Sequence, residues 1–194
     1  MHYIFWGVKC FFINNITKPK QIGALCPSSS KLAFAMTEHI ELDKARYIAE
    51  IGAGTGAFTR SILQKKNQAA NFFAVEVNEK MANKLSHKIE NLDIEVDSAQ
   101  SLKKIICKRG INNLDIIISG IPWAFLNKQE QDQLLNTLYE CLNEGGYFAT
   151  FAYIIPTFAK VRFKEKLYSL FSEVKISKII WRNIPPAFVY YCKK

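Results

Sequence analysis

Between a β-branched, apolar run at Ala45–Ile51 and a helical stretch at Ala57–Lys66 stands Glu50-Ile51-Gly52-Ala53-Gly54-Thr55-Gly56. No other segment narrows the fold of this chain as much. Glycines on alternate positions at a strand-to-helix junction allow a tight turn and close backbone approach, and the helix start offers unpaired N–H groups to a ligand. Glu76 follows at the end of the next apolar run, 24 residues after Gly52. A carboxylate there can accept hydrogen bonds from both ribose hydroxyls of a bound nucleoside. Strand, glycine loop, helix, strand and acid, in that order, describe half of a nucleotide-binding α/β sheet.

The rest of the chain continues the alternation. Asn71–Val77 reads as a buried strand, Glu79–Ile89 as a polar amphipathic helix and Ile94–Val96 as a short strand. Leu114–Ser119 is nearly all apolar, as a central parallel strand is. Lys128–Leu142 has apolar residues at 134, 135, 138, 139 and 142, the helical spacing, and Gly145 and Gly146 are expected to stop that helix ahead of a strand at Tyr147–Tyr153. Val161–Phe171 predicts a helix. Val174–Trp181 and Ala187–Cys192 predict two strands separated only by Asn183–Pro186, hence a terminal antiparallel hairpin. The expectation is a doubly wound α/β fold.

The glycine loop leaves two nucleotide readings. Gly52, Gly54 and Ala57 satisfy the dinucleotide pattern, but a dinucleotide enzyme needs a second mononucleotide half, which a terminal hairpin fits poorly. The form Glu-x-Gly-x-Gly-x-Gly resembles the first motif of S-adenosylmethionine-dependent methyltransferases, whose Rossmann-like sheet is seven-stranded and mostly parallel with an antiparallel last strand. That resemblance implies S-adenosyl-L-methionine as cofactor. It puts Gly52, Ala53, Gly54 and Gly56 under the methionine part, with Glu50 supporting the loop or the methionine amino group. Glu76 would hold the ribose, Asp97-Ser98-Ala99 would meet the adenine, and Ser119 would stand at the cofactor's edge. Ser98 occupies the place where that family more often has an acid, and Asp97 is displaced by one.

Charge bears on the substrate. The net charge is +9, and its excess lies at the two ends of the chain. Residues 1–37 carry Lys9, Lys18, Lys20 and Lys31 and no acid, and residues 154–194 carry nine basic residues against Glu165 and Glu173. The intervening residues hold 13 basic and 15 acidic side chains. Composition alone points equally to nucleic acid and to a membrane surface. The five cysteines form no C-x-x-C pair and the three histidines have no second ligand at metal spacing, so no disulfide framework and no metal site is expected. The apolar run Tyr3 to Ile13 is too short to span a bilayer and makes a poor signal peptide.

Ser119-Gly120-Ile121-Pro122-Trp123 stands where rRNA adenine dimethylases and DNA amino-methyltransferases read Asn or Asp, x, Pro, aromatic. The Asn or Asp oxygen accepts from the target amine and the aromatic stacks on the flipped base; here the acceptor is replaced by Gly120. The plainer reading of Pro122 and Trp123 is that they terminate a strand. Four segments are similar to bacterial phospholipid N-methyltransferases, which take phosphatidylethanolamine toward phosphatidylcholine. They are Gly23–Ser29 leading into a Leu32-Ala33-x-Ala35-Met36 helix, the glycine loop, Ser119–Trp123, and Trp181–Tyr190. The similarity runs from about residue 20 to the end.

This resemblance implies a bacterial peripheral membrane enzyme, cytoplasmic, on the inner face of the membrane. Residues 1–30 would be an amphipathic membrane-contacting segment, with Tyr3, Phe5, Trp6, Phe11 and Phe12 beside Lys9, Lys18 and Lys20, and residues 31–194 the methyltransferase domain. Its partners would be a phospholipid substrate and an anionic membrane surface. A headgroup that becomes cationic on methylation suits an aromatic cage, for which Trp123 and Tyr153, with Phe151, are the candidates beside Gly120. Arg182, with Lys160 and Lys178 behind it, is the candidate for the lipid phosphate; no general base stands out. Two other readings stay open: an rRNA or other nucleic-acid adenine N-methyltransferase, and a non-catalytic membrane-binding module.

Overall fold

The apolar runs become the strands of one sheet. The computed structural model describes residues 28–154 and 158–194. In chain order the elements are α1 (Ser30–Met36), β1 (Tyr47–Ile51), α2 (Ala57–Lys65), β2 (Asn71–Val75), α3 (Glu79–Lys88), β3 (Ile94–Glu95), α4 (Leu102–Lys108), β4 (Leu114–Ser119), α5 (Lys128–Glu140), β5 (Leu142–Tyr153), α6 (Phe158–Leu170), β6 (Glu173–Ile176) and β7 (Ala187–Lys193). The seven strands lie in the order β3-β2-β1-β4-β5-β7-β6. All run parallel except β7, which is antiparallel to both β5 and β6. This is the doubly wound, seven-stranded sheet with an antiparallel last strand that was expected.

Alternation of side chains along each strand builds two cores. Ile48, Ile116, Ile118, Ala149, Val189 and Tyr191 face α1 and α2, where Leu32, Met36, Phe58 and Ile62 cover them. Phe73, Val75, Ile117, Phe148 and Tyr190 face α4, α5 and α6, covered by Ile105, Leu135, Leu138, Phe163 and Leu167. Full burial of each such side chain stabilises the fold by about 1.5–3 kcal/mol. The Ser29 hydroxyl caps α1 by accepting from Leu32 N–H, and the Tyr191 hydroxyl ties α1 to β7 by donating to the Ala35 carbonyl at 2.7 Å.

Three local expectations need correction. The helix over 128–142 stops at Glu140, not at the glycines; Gly145 and Gly146 lie within β5, where the register against β4 shifts between Leu114 and Ile116. Gly145 takes φ 75°, and a Cβ on Gly146 would meet the Asn143 carbonyl at 2.8 Å, so the glycines serve the irregular start of a strand. The terminal hairpin has a longer connection than expected. Beyond Ile176 and a pair of hydrogen bonds at Ser177 the ladder breaks, and residues 177–186 form a turn held by a lone bridge between Ile180 and Ala187. The helix α4 was not anticipated, although Leu102, Ile105 and Ile106 carry its period between lysines. Cys141 and Cys192 are buried free thiols, whereas Cys107 is exposed.

Candidate active site

The carboxyl ends of β1, β2 and β4 converge on the glycine loop. Gly52, Gly54 and Gly56 all take positive φ, at 76°, 55° and 79°. The loop is pinned by Gly52 N–H to the Val75 carbonyl at 2.8 Å and by Gly56 N–H to the Ala53 carbonyl at 2.9 Å. At Gly56 the positive φ favours glycine, and a Cβ there would also require the Leu85 side chain to shift. Glu76 braces the loop from β2: its Oε2 accepts from Gly54 N–H and its Oε1 from Asn78 N–H, each at 2.9 Å. The carboxylate is 7% exposed and opens onto the loop it holds.

Glu50 lies beneath, fully buried, and neither carboxyl oxygen has a hydrogen-bond partner among the described residues. Burial pushes its pKa up to about 8; contacts with Thr59 pull it back, the Glu76 charge adds to the rise, and Arg60 opposes it. Burial of this kind favours the neutral carboxyl, and a cation placed beside it would favour the ionised form.

Other expected site residues are placed differently. Asp97 and Ser98 are half-buried and locally engaged: Asp97 accepts from Ser98 N–H at 2.6 Å, and Ser98 Oγ accepts from Gln100 N–H at 3.3 Å. Ser119 is buried with its hydroxyl turned to its own chain, accepting from Trp123 Nε1 at 3.2 Å and Ile121 N–H at 3.3 Å. Its hydroxyl therefore shapes the turn after β4.

Trp123 needs correction. It is 2% exposed, stacked on Phe163 at 4.6 Å and edge-on to Phe148 at 6.1 Å. A 3₁₀ turn at Trp123–Phe125 swings the ring into the core between α5 and α6, and Gln131 Nε2 fixes it by donating to its carbonyl at 2.7 Å. It cannot serve as an open wall of a cage.

Phe151 is also core, edge-on to Phe58 at 5.9 Å. Tyr153 ends β5 half-buried, edge-on to Phe151 at 5.4 Å, and pairs in register with Ala187. Arg182 is exposed on the 177–186 turn, five residues from that pairing. Lys160 donates to the Tyr153 and Ile154 carbonyls at 3.4 and 3.3 Å, and burial lowers its pKa; Lys178 is exposed.

Gly120 sits between the two groups. Its N–H donates to the Ile51 carbonyl at 2.8 Å, and a Cβ there would run into the Gly52 carbonyl oxygen. The absence of Asn or Asp at this place is thus a packing requirement of the glycine loop. Sequence reasoning missed Val77 and Val96, large apolar side chains exposed just beyond Glu76 and just before Asp97. The available signal was a valine directly after Glu76 and another directly before Asp97, each at the end of a short apolar run.

A seven-stranded sheet of this order, with a glycine loop after β1 and an acid just beyond β2, is the architecture of the class I S-adenosylmethionine-dependent methyltransferases. A model of the methyltransferase domain matches residues 48–146, half of the chain, and the chain belongs to that family. It is an S-adenosylmethionine-dependent methyltransferase. Among curated proteins it is 27% identical over 178 residues to an ornithine lipid N-methyltransferase from Singulisphaera acidiphila, covering 89% of this chain and 88% of that protein.

Among solved structures, an O-methyltransferase from Bacillus cereus in complex with SAH superposes with a TM-score of 0.67 at 14% identity, over 93% of this chain and 91% of that one. A SAM-dependent O-methyltransferase from Thermotoga maritima gives 0.60 at 19% identity over 85% of this chain, which spans 64% of that protein's length. At these identities the likeness is one of fold. The residues present fit the cofactor: the orphaned Glu50 carboxyl suits a buried cation, and Glu76 with the positive-φ loop suits a ribose and a closely approaching chain.

Proposed function

We propose that this methyltransferase N-methylates the primary amine of an amino-lipid headgroup, with phosphatidylethanolamine on the way to phosphatidylcholine and an ornithine lipid as the substrates to compare. The observation that carries the reading is the 27% identity, over nearly the full length of both chains, to an enzyme named for methylating ornithine lipid. Gly120 supports it. An adenine-directed enzyme needs a side-chain acceptor where the Gly52 carbonyl leaves no room for a Cβ.

S-adenosylmethionine supplies, when bound, an electrophilic methyl group on a sulfonium. The chain's own groups bind and orient. Glu50, Gly52, Ala53, Gly54, Gly56 and Glu76 form the donor's cradle, with Asp97, Ser98, Val77 and Val96 at its far end. Tyr153 stands at the carboxyl end of β5, where its hydroxyl can hold the amine as a neutral nucleophile, and Arg182 offers a cation to an anionic group of the headgroup. The protein's contribution is positioning and electrostatics. No helix among the described residues is long and apolar enough to cross a membrane. The amphipathic segment expected at residues 1–30 lies almost wholly outside the described residues, and its contact with an anionic membrane surface is part of the proposal.

The test is to incubate the protein with methyl-labelled S-adenosylmethionine and, separately, vesicles containing phosphatidylethanolamine, vesicles containing ornithine lipid, and total RNA. Label in either lipid is the expected result. Label in RNA with none in lipid would overturn the reading.

A further inference from the structure

Because β6 runs parallel to β1, the 177–186 turn that follows it leaves the sheet at the same edge as the glycine loop and Ser119–Trp123. The turn does not shield its apolar side chains. Trp181 is 68% exposed, Ile184 69%, and Ile179 is exposed beside them. Ile176 at the end of β6 and Phe34 on α1 extend the same face. A groove of about 920 Å³ runs between α1 and this turn, and into it project Phe34, Ile176 and Trp181 with Lys31, Lys178 and Arg182. Of the two carboxylates that also line it, Glu173 is held by Lys175 at 2.6 Å; the other is Glu38.

Asn183 fixes the turn to the start of α1. It is buried, accepts from Ser29 N–H at 3.0 Å and donates to the Pro185 carbonyl at 2.7 Å. The two apolar ridges are thereby held as one surface, and the chain from the Phe- and Trp-rich residues 3–13 joins α1 beside it at Ser28.

Clustered exposed Trp, Ile and Phe mark an interaction surface. Basic side chains between them, with Trp at the rim, match the headgroup boundary of an anionic membrane, where Trp settles and Lys and Arg are attracted to the lipid charge. We propose that the 177–186 turn and the exposed side of α1 form a face that docks on an anionic lipid bilayer, so that the mouth of the active site, with Tyr153 and Arg182, meets the headgroups directly. Where this face delivers the amine rests on the amino-lipid reading above; the docking itself is read without turnover.

The full-length protein is partitioned between buffer and phosphatidylcholine vesicles with and without phosphatidylglycerol. The double variant Ile179→Ser, Trp181→Ser lowers partitioning onto the anionic vesicles about tenfold, and Lys31→Gln lowers it roughly fivefold. Val161→Ser with Tyr168→Ser, which removes equally exposed apolar side chains from α6, leaves it unchanged. In a Trp6→Phe background, brominated lipid quenches emission that disappears with Trp181, because Trp123 is buried.

Unaltered partitioning of both the double variant and Lys31→Gln overturns the proposal. So does an equal loss in the α6 control, or a dimer in solution that the double variant dissolves. Vesicle binding that depends on this face while no lipid is labelled supports the docking surface and rejects the amino-lipid substrate.

Discussion

The cofactor end and the substrate end of this site are built on different physical terms. Around β1 and β2 the loop and the acid above it are tied down: the glycine loop by backbone bonds, Glu76 by Gly54 and Asn78. Around β5 and β7 the corresponding surface is an irregular turn with exposed Trp181 and Ile184, fixed to the body by Asn183. The first region is preorganised for one small ligand of set shape. The second is the face proposed to dock on a surface, where exposed apolar area and charge count for more than precise donors. The ionisable exception at the cofactor end is Glu50, which with the Thr59 hydroxyl is buried unpartnered among the described residues, and it is the sharpest place to break the contrast.

With a pKa of about 8 in the folded state against an ordinary value of 4.5, Glu50 holds its proton in the native protein where the unfolded chain has lost it. The native state binds more protons between those values, so its stability falls as pH rises from 4.5 to 8, by as much as roughly 5 kcal/mol for 3.5 pH units. Urea unfolding of the cofactor-free protein at pH 5 and pH 8 should show this fall, and Glu50→Gln should abolish it. Saturating S-adenosylmethionine should flatten the wild-type profile if its cation sits against Glu50. A wild-type profile already flat without cofactor would place Glu50 among the tied-down groups and remove the exception.

Next in size is Trp123→Ala. As a core residue stacked on Phe163 it should cost about 3–5 kcal/mol of stability in the cofactor-free protein. If instead stability holds and only KM for the lipid rises, the ring belongs to the substrate end after all. Glu76→Ala should weaken S-adenosylmethionine binding by roughly 30- to 100-fold in calorimetry, the scale of one or two charge-assisted hydrogen bonds. It should also loosen the loop, since Gly54 N–H loses its acceptor.

The same contrast explains what the sequence disclosed. The order of strands and of every helix but α4, the glycine loop and Glu76 were legible because local rules dictate them: apolar period, positive φ at glycine, an acid at a strand end. Trp123 was misjudged because its side chain is aimed by a 3₁₀ turn and by Gln131 and Phe163, partners eight and forty residues away that no local pattern announces. The partners of the Ser119 hydroxyl, in the turn it begins, are equally unannounced by a local pattern. Gly120 was legible as a missing acceptor, but the cause, its contact with the Gly52 carbonyl, needed the fold. Asn183 reads in the sequence only as part of the hairpin connection and of a segment similar to other enzymes. Its hydrogen bond to Ser29, across 154 residues, is invisible to any windowed reading.

The smallest effect is expected at Arg182. It is exposed, so its attraction for an anionic headgroup is screened by solvent and is worth about 1 kcal/mol. Arg182→Ala should raise KM for vesicle lipid roughly fivefold while kcat and the affinity for S-adenosylmethionine stay as they are. The increase should shrink when salt is raised from 0.05 to about 0.5 M, since the Debye length falls well below 10 Å. A KM unmoved at low salt would assign headgroup capture to the turn's apolar side chains alone. A fall in kcat would do the opposite: it would mean that Arg182 reaches the reacting headgroup, and that the substrate end is as tightly organised as the cofactor end.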